Sequence, residues 1–376
     1  MNDIYIYKNG HKMRCGYTTG SCATGATKAS AEMLLSGKIV KTVNFLTPKG
    51  IMLELVVNDQ KIGENASCSI VKDGGDDPDS TDGMKIFSEV SLIPDGVEIS
   101  GGIGIGIVTQ AGLDQPVGEW AINTVPRKMI RSVLAEISRK YAYSGGFKVV
   151  ITAPEGQDVA KKTYNPRMGI EGGISILGTS GIVEPMSSNA LIETIRTEAK
   201  MKRMFGDKNM IITLGNYGDD FLRAEMPFLA ENSIKCSNFI GDAIEIGMEM
   251  GYENILIIGH IGKLVKLGAG IMNTHSGSAD GRMDVLVTCG LLAGADADIL
   301  RKIPYCVTVD SALDILREKN FLWRTMKILS IKAGYYLKNK VYDKINIGTV
   351  MFSYRYGILV RTDNVNEILR NLTERT

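Results

Sequence analysis

Two histidines stand in polar segments that also carry glycine: His260 in Gly259-His-Ile-Gly-Lys263 and His275 in Asn273-Thr-His-Ser-Gly277. An imidazole titrates near neutrality, so each is a candidate general base or ligand contact, with simple loop-holding by hydrogen bonds as the alternative. His11, the remaining histidine, reads as solvated. The segment Lys72–Asp79 (KDGGDDPD) packs four carboxylates into the seven residues from Asp73. Clustered oxygens suit Mg²⁺ or Ca²⁺, but the spacing is not that of an EF-hand, and Asp/Gly/Pro turns form without metal. We read a fixed, ligand-contacting loop with no protein-bound metal. In it Lys72 and Asp73 are binding groups and Asp76 is a third candidate base; uptake of a cation stays open.

Three glycine-rich turns follow apolar runs. Gly178-Thr-Ser-Gly181 follows Ile174–Leu177, Gly215-Asn-Tyr-Gly218 follows Met210–Leu214, and Gly259-His-Ile-Gly262 follows Ile255–Ile258. Ligands of open α/β sheets bind at the carboxyl ends of strands, where backbone N–H groups can approach them closely. Gly178, Thr179, Ser180, Gly181, Gly215, Asn216, Gly259 and Gly262 are therefore candidates for holding a cofactor. Glycine also makes tight turns where no ligand binds. Gly101–Gly106 (GGIGIG) lacks the G-x-G-x-x-G spacing and fits a strand bulge as well as a cofactor loop. Gly262-Lys263 lacks the rest of a P-loop. Arg127, Arg167 and Lys263, with Thr18, Thr19 and Asn165, lie near expected turns and could bind a polycarboxylate; a solvated face is the alternative for any one of the cations.

These residues need two domains to position them, since 376 residues exceed what one ordinary core serves. Residues 1–144 read as mixed α+β. Thr18-Thr-Gly-Ser21 caps a helix running to Leu35, Thr47-Pro-Lys-Gly50 turns a hairpin, and a helix spans Val125–Tyr141 with Pro126 in its first turn. Tyr143-Ser-Gly-Gly146 reads as a linker. From 145 to 376, short apolar strands (148–152, 174–177, 210–214, 255–258) alternate with helices, the pattern of a parallel sheet covered by helices. Lys plus Arg is 43 against 42 for Asp plus Glu, a balance that argues against nucleic-acid binding. No apolar run suits a membrane span or a secretory leader, and six cysteines without C-x-x-C suggest free thiols in a cytoplasmic protein.

Taken in order, several of these motifs resemble the CbiD family, the cobalt-precorrin-5B C1-methyltransferases of anaerobic cobalamin biosynthesis. The resemblance runs through Gly16–Ala26 (GYTTGSCATGA), Val71–Asp79 (VKDGGDDPD), Gly104–Thr109 (GIGIVT) and Ala121–Arg127 (AINTVPR). Its most specific part is Lys162–Ile170 (KTYNPRMGI) with Gly172–Met186 (GGISILGTSGIVEPM); Gly259–Leu264 (GHIGKL) and Asn273–Ser276 (NTHS) complete it. Thr124 stands where the family pattern has proline.

The resemblance implies an α/β fold of two domains, the second a Rossmann-like three-layer domain. It implies methyl transfer from S-adenosylmethionine to C-1 of a cobalt corrinoid, cobalt-precorrin-5B, giving cobalt-precorrin-6A. The sulfonium methyl is already activated and the macrocycle supplies the carbon nucleophile, so the protein's work is alignment and exclusion of water. Cobalt arrives with the substrate. Oligomeric state stays open, a homo-oligomer included. Two other classes compete: a nucleotide-dependent transferase or ligase using Gly259–Lys263 for phosphate, and a non-catalytic corrinoid or anion carrier.

Overall fold

The computed structural model describes residues 4–8 and 10–373, and is a mixed α/β structure with several sheets. It divides into two compact units, residues 1–187 and 188–376. The division expected at 144/145 does not coincide with this one. The strand Gly146–Thr152, expected to open the second domain, pairs antiparallel with Lys85–Ile93 and parallel with Val97–Gly101, inside the first unit.

The first unit holds a five-stranded sheet of Asn58–Ile62 (β1), Ala66–Val71 (β2), Lys85–Ile93 (β3), Val97–Gly101 (β4) and Gly146–Thr152 (β5), in the order β1-β2-β3-β5-β4. Helices Thr19–Ser36 (α1) and Thr124–Tyr141 (α2) pack together, and α1 lies against β2 and β3. Every residue of α1 from Thr19 to Ala31 is buried. That is tolerable because its side chains are small and its polar groups are satisfied. Thr24 and Thr27 donate to the carbonyls of Gly20 and Ala23, and Ser30 donates to Ser88 O. The buried Lys28 ammonium meets Glu136 at 2.6 Å and Asn44 O at 2.8 Å. The hairpin around Thr47–Gly50 forms between Thr42–Leu46 and Met52–Val56.

The Gly101–Gly106 segment is a packing device. Gly104 sits at φ +75°, and a Cβ there would lie 1.8 Å from Ala153 O. Only glycine allows both the left-handed backbone and that approach. Gly104→Ala is therefore expected to destabilise the unit by at least about 2 kcal/mol, read as a lower midpoint in urea with an unchanged slope.

In the second unit the strands are Asn209–Thr213 (β6), Ser233–Lys235 (β7), Asn254–His260 (β8), Asn346–Ser353 (β9) and Gly357–Arg361 (β10), ordered β7-β6-β8-β9-β10. The first four are parallel, and β10 is an antiparallel edge. Alternate side chains of β6, β8 and β9 enter two cores. Met210, Ile212, Ile255 and Ile257 face one; Ile211, Leu256, Ile258 and Phe352 face the other. The longer helices are Ser188–Met204 (α3), Gly215–Glu225 (α4), Ile240–Glu249 (α5), Arg282–Leu292 (α6), Val309–Glu318 (α7), Leu322–Lys340 (α8) and Val365–Thr373 (α9). Together they give residues to both cores, so both sheet faces are covered, as near-continuous apolar strands require. The helix after β6 starts at Gly215 and breaks before Pro227, whose ring removes a backbone donor.

All six cysteines are free; Cys15, Cys22, Cys68, Cys236 and Cys289 are buried and Cys306 is half-exposed. Among the described residues, no helix is long and apolar enough to cross a membrane.

Candidate functional site

Four of the expected binding residues meet in the first unit. A cavity of about 180 Å³ is lined by Thr18, Thr19, Lys72 and Asn165, together with Asp79, Ser175 and others. Thr18 is the N-cap of α1, its hydroxyl accepting from Ser21 N at 3.2 Å, as the sequence suggested. The Thr19 hydroxyl accepts from Leu177 N at 3.0 Å, and Asn165 Oδ1 accepts from the Ser175 hydroxyl at 3.3 Å. These bonds fix the cavity wall before any ligand arrives. Lys72, 2% exposed, pairs with Asp79 at 2.6 Å. Burial pushes the Asp79 carboxyl up, but the ammonium and two donors of Thr81 outweigh it and hold the carboxyl below its usual range.

The acidic loop is built by its own carboxylates. Asp73 takes both arms of Arg14, at 2.5 and 2.8 Å, and also Gly75 N, which hold its carboxyl below the usual value. Asp76, exposed, accepts from Arg14 N at 2.6 Å, and Asp77 accepts from Met186 N at 2.8 Å. Among the described residues no group of three or more His, Cys, Asp or Glu side chains stands ready for a metal ion.

Arg127 turns to backbone: Nε donates to Ile122 O at 2.8 Å and Nη1 to Ile99 O at 3.1 Å, with Nη2 3.9 Å from the Glu119 carboxylate. Asn165 opens a short 3₁₀ turn, while the Arg167 side chain lies outside the described residues. The Gly178–Gly181 turn, expected at a strand end of the second domain, belongs to the first unit. Ile174–Leu177 makes only isolated bridges, to Ile105 and Ile122, and so is not a sheet strand. Gly178 (φ +136°) lies against Thr18, where a Cβ would be 2.2 Å from Oγ1. Gly181 O accepts from Thr18 N and from the Ser21 hydroxyl. Ser180 O accepts from Lys49 N, and Thr179 is exposed.

The other two glycine turns do lie at strand ends. Gly215 and the exposed Asn216 open α4 directly after β6; Gly259, His260 and Gly262 lie at the end of β8 and in the short helix after it. β6 and β8 are neighbours, and the chain visits β7 on the far side of β6 before crossing to β8. Strand order thus reverses between them, which is where open α/β sheets bind ligands. Thr213, the last residue of β6, is fully buried, and its hydroxyl has no hydrogen-bond partner among the described residues.

His260 Nδ1 accepts from Gly262 N at 3.1 Å, which leaves the proton of the neutral ring on Nε2, 4.0 Å from Asp310 Oδ2. Burial lowers its pKa, and Asp310 raises it by less. His275 is exposed and accepts from Gly277 N at 3.0 Å. Lys263 donates to Asn238 Oδ1 at 2.8 Å. Sequence reasoning had Asp79 only as one of the acidic segment's carboxylates, and missed Ser175 in the first unit and Tyr217, Asp310 and Tyr354 around His260. Tyr217 stood inside a turn already singled out, so its place beside Asn216 was the available signal.

Residues 6–185 match the family model CbiD, and residues 273–363 match the model CbiD, C-terminal domain. A protein of Ruminiclostridium cellulolyticum named cobalt-precorrin-5B C(1)-methyltransferase is 48% identical, over 93% of this chain and 91% of its own. One of the same name from Alkaliphilus metalliredigens is 43% identical, over 98% and 97%. A crystal structure of the cobalamin biosynthesis protein cbiD from Archaeoglobus fulgidus is 28% identical, covering 74% of this chain and 87% of that one with a TM-score of 0.39.

Proposed function

The chain belongs to the CbiD family of cobalt-precorrin-5B C(1)-methyltransferases, and we propose that it methylates C-1 of cobalt-precorrin-5B with S-adenosylmethionine, releasing cobalt-precorrin-6A and S-adenosylhomocysteine. The donor supplies an activated methyl group, whose bond to sulfur breaks with the electron pair left on sulfur as the ring carbon takes the methyl. Cobalt is part of the substrate.

The observation that carries the donor's place is the pair of turns at Gly215 and Gly259, on adjacent parallel strands where strand order reverses. On this reading the second unit is Rossmann-like, and Gly215, Asn216, Gly259 and Gly262 bring backbone to the nucleoside. The buried, unpartnered Thr213 hydroxyl beside them fits a polar ligand. We favour His260, whose pKa burial lowers, over His275 and Asp76 as the base that removes a proton around the transfer; its Nδ1 lone pair is held by Gly262 N, so it acts by releasing that bond.

The first-unit cavity, about 180 Å³, has room for one side arm of a macrocycle. Thr18, Thr19, Lys72 and Asn165 would hold an acetate or propionate arm there. A cytoplasmic location goes with this reading and with the free thiols.

Calorimetry with S-adenosylhomocysteine tests the proposal, with mass spectrometry of the corrinoid product alongside. Tight binding without Mg²⁺ and a gain of one methylene are expected. Mg²⁺-dependent ATP binding would point to the ligase class instead, and failure to bind S-adenosylhomocysteine even with corrinoid present removes the methyltransferase reading.

A further inference from the structure

Three strand ends of the second unit bring aromatic rings together. Tyr217 comes from the first turn of α4 after β6, His260 from the end of β8, and Tyr354 from the turn between β9 and β10. The His260 centroid is 6.4 Å from that of Tyr217 and 5.9 Å from that of Tyr354, and the two tyrosines meet edge-on at 5.9 Å. Beneath them the buried Phe352 meets His260 and Tyr354 edge-on and stacks on Phe221 at 3.9 Å, which gives the group a fixed floor. Yet Tyr217 and Tyr354 are 65% and 63% exposed, so large π-faces stand in water beside the strand-end turns.

A carboxylate stands beside them. Asp310, from the first turn of α7, accepts the Ser353 hydroxyl at 2.8 Å through Oδ1. Its Oδ2 is too far from His260 Nε2 for a hydrogen bond, and among the described residues no Lys or Arg pairs with it. Nearby cations are engaged elsewhere: Arg355 with Asp314, Lys235 with Asp219, Lys263 with Asn238. A neutral imidazole, two exposed phenol rings and an open carboxylate attract a soft cation and give nothing to an uncharged sulfur.

We infer that Tyr217, His260 and Tyr354, with Asp310, form a cation subsite that takes the sulfonium centre of the methyl donor in preference to the neutral thioether it becomes. The inference rests on the proposed function and deepens it. Charge leaves the sulfur with the methyl group, so the subsite favours entry of fresh donor and loosens its hold on the spent one.

The test is the ratio of two affinities. S-adenosylmethionine and S-adenosylhomocysteine are each titrated calorimetrically into the full chain, the Tyr217→Leu variant and the Asp310→Asn variant. Each substitution is expected to weaken donor binding about five- to tenfold and to change thioether binding less than about twofold. Retained thioether binding also reports that the variant is folded. Equal losses for both ligands, or no loss for either, overturn the subsite while leaving the methyltransferase reading intact. If the unaltered protein binds neither ligand, both fall together.

Discussion

Asp79→Ala is expected to lower the stability of the first unit by about 3 kcal/mol, because it strands the Lys72 ammonium, 2% exposed, without its counter-charge. In a unit of this size that is a fall of about 6–12 °C in melting temperature. Lys72→Met should cost less, since the Asp79 side chain is 24% exposed and keeps its Thr81 donors. The double variant should recover part of the loss. Because the Asp79 carboxyl is held low in the folded state, the pair's contribution is complete above the unfolded carboxylate value of about 3.9 and is lost as pH falls through the folded value. Denaturant titrations from neutral pH down to acid check the sign: Lys72→Met should flatten that acid limb. An Asp79→Ala protein as stable as the parent would mean the pair is dispensable to the fold.

His260→Gln is expected to reduce turnover about a hundredfold, the loss that removal of a positioned base produces, and to raise the donor's KM as the cation subsite loses a ring. His275→Gln, at an exposed position, should stay within about twofold. Since burial lowers the His260 pKa from its ordinary 6.5, the ring stays neutral into mildly acidic solution. The acid limb of kcat/KM should therefore lie below 6.5 and be absent from the glutamine variant. Full turnover in His260→Gln would end its assignment as base.

The segments that announced themselves locally were legible. Thr18 before a run of small residues marked the N-cap of α1, and Pro126 lies in the first turn of α2. The apolar runs 210–214 and 255–258 became β6 and β8. What failed was non-local. Residues 148–152 look like the start of a repeating β/α pattern, but their partners are β3 and β4, more than forty residues earlier, and nothing in the segment encodes that pairing. Ile174–Leu177 reads as a strand because it is mostly apolar, yet Ile174 and Ile176 are there because they enter the first unit's core. The candidate site follows the same division. Thr18, Thr19, Lys72 and Asn165 converge as hoped, whereas the charge of Arg127 suggested a ligand and the side chain instead braces two carbonyls. Asp310 and Tyr354 lie far along the chain from His260 and carried no motif of their own.

The buried thiols leave the molecule with a built-in attachment point. Desolvation pushes Cys22 and Cys236 up to about 12 and Cys68 and Cys289 up to about 11, and Cys15 rises as well, so maleimide chemistry at neutral pH passes them by. Cys306 is the half-exposed exception, four residues ahead of Asp310. A single fluorophore can thus be placed beside the second unit's strand ends without engineering the chain, and its emission would follow ligand arrival there in real time.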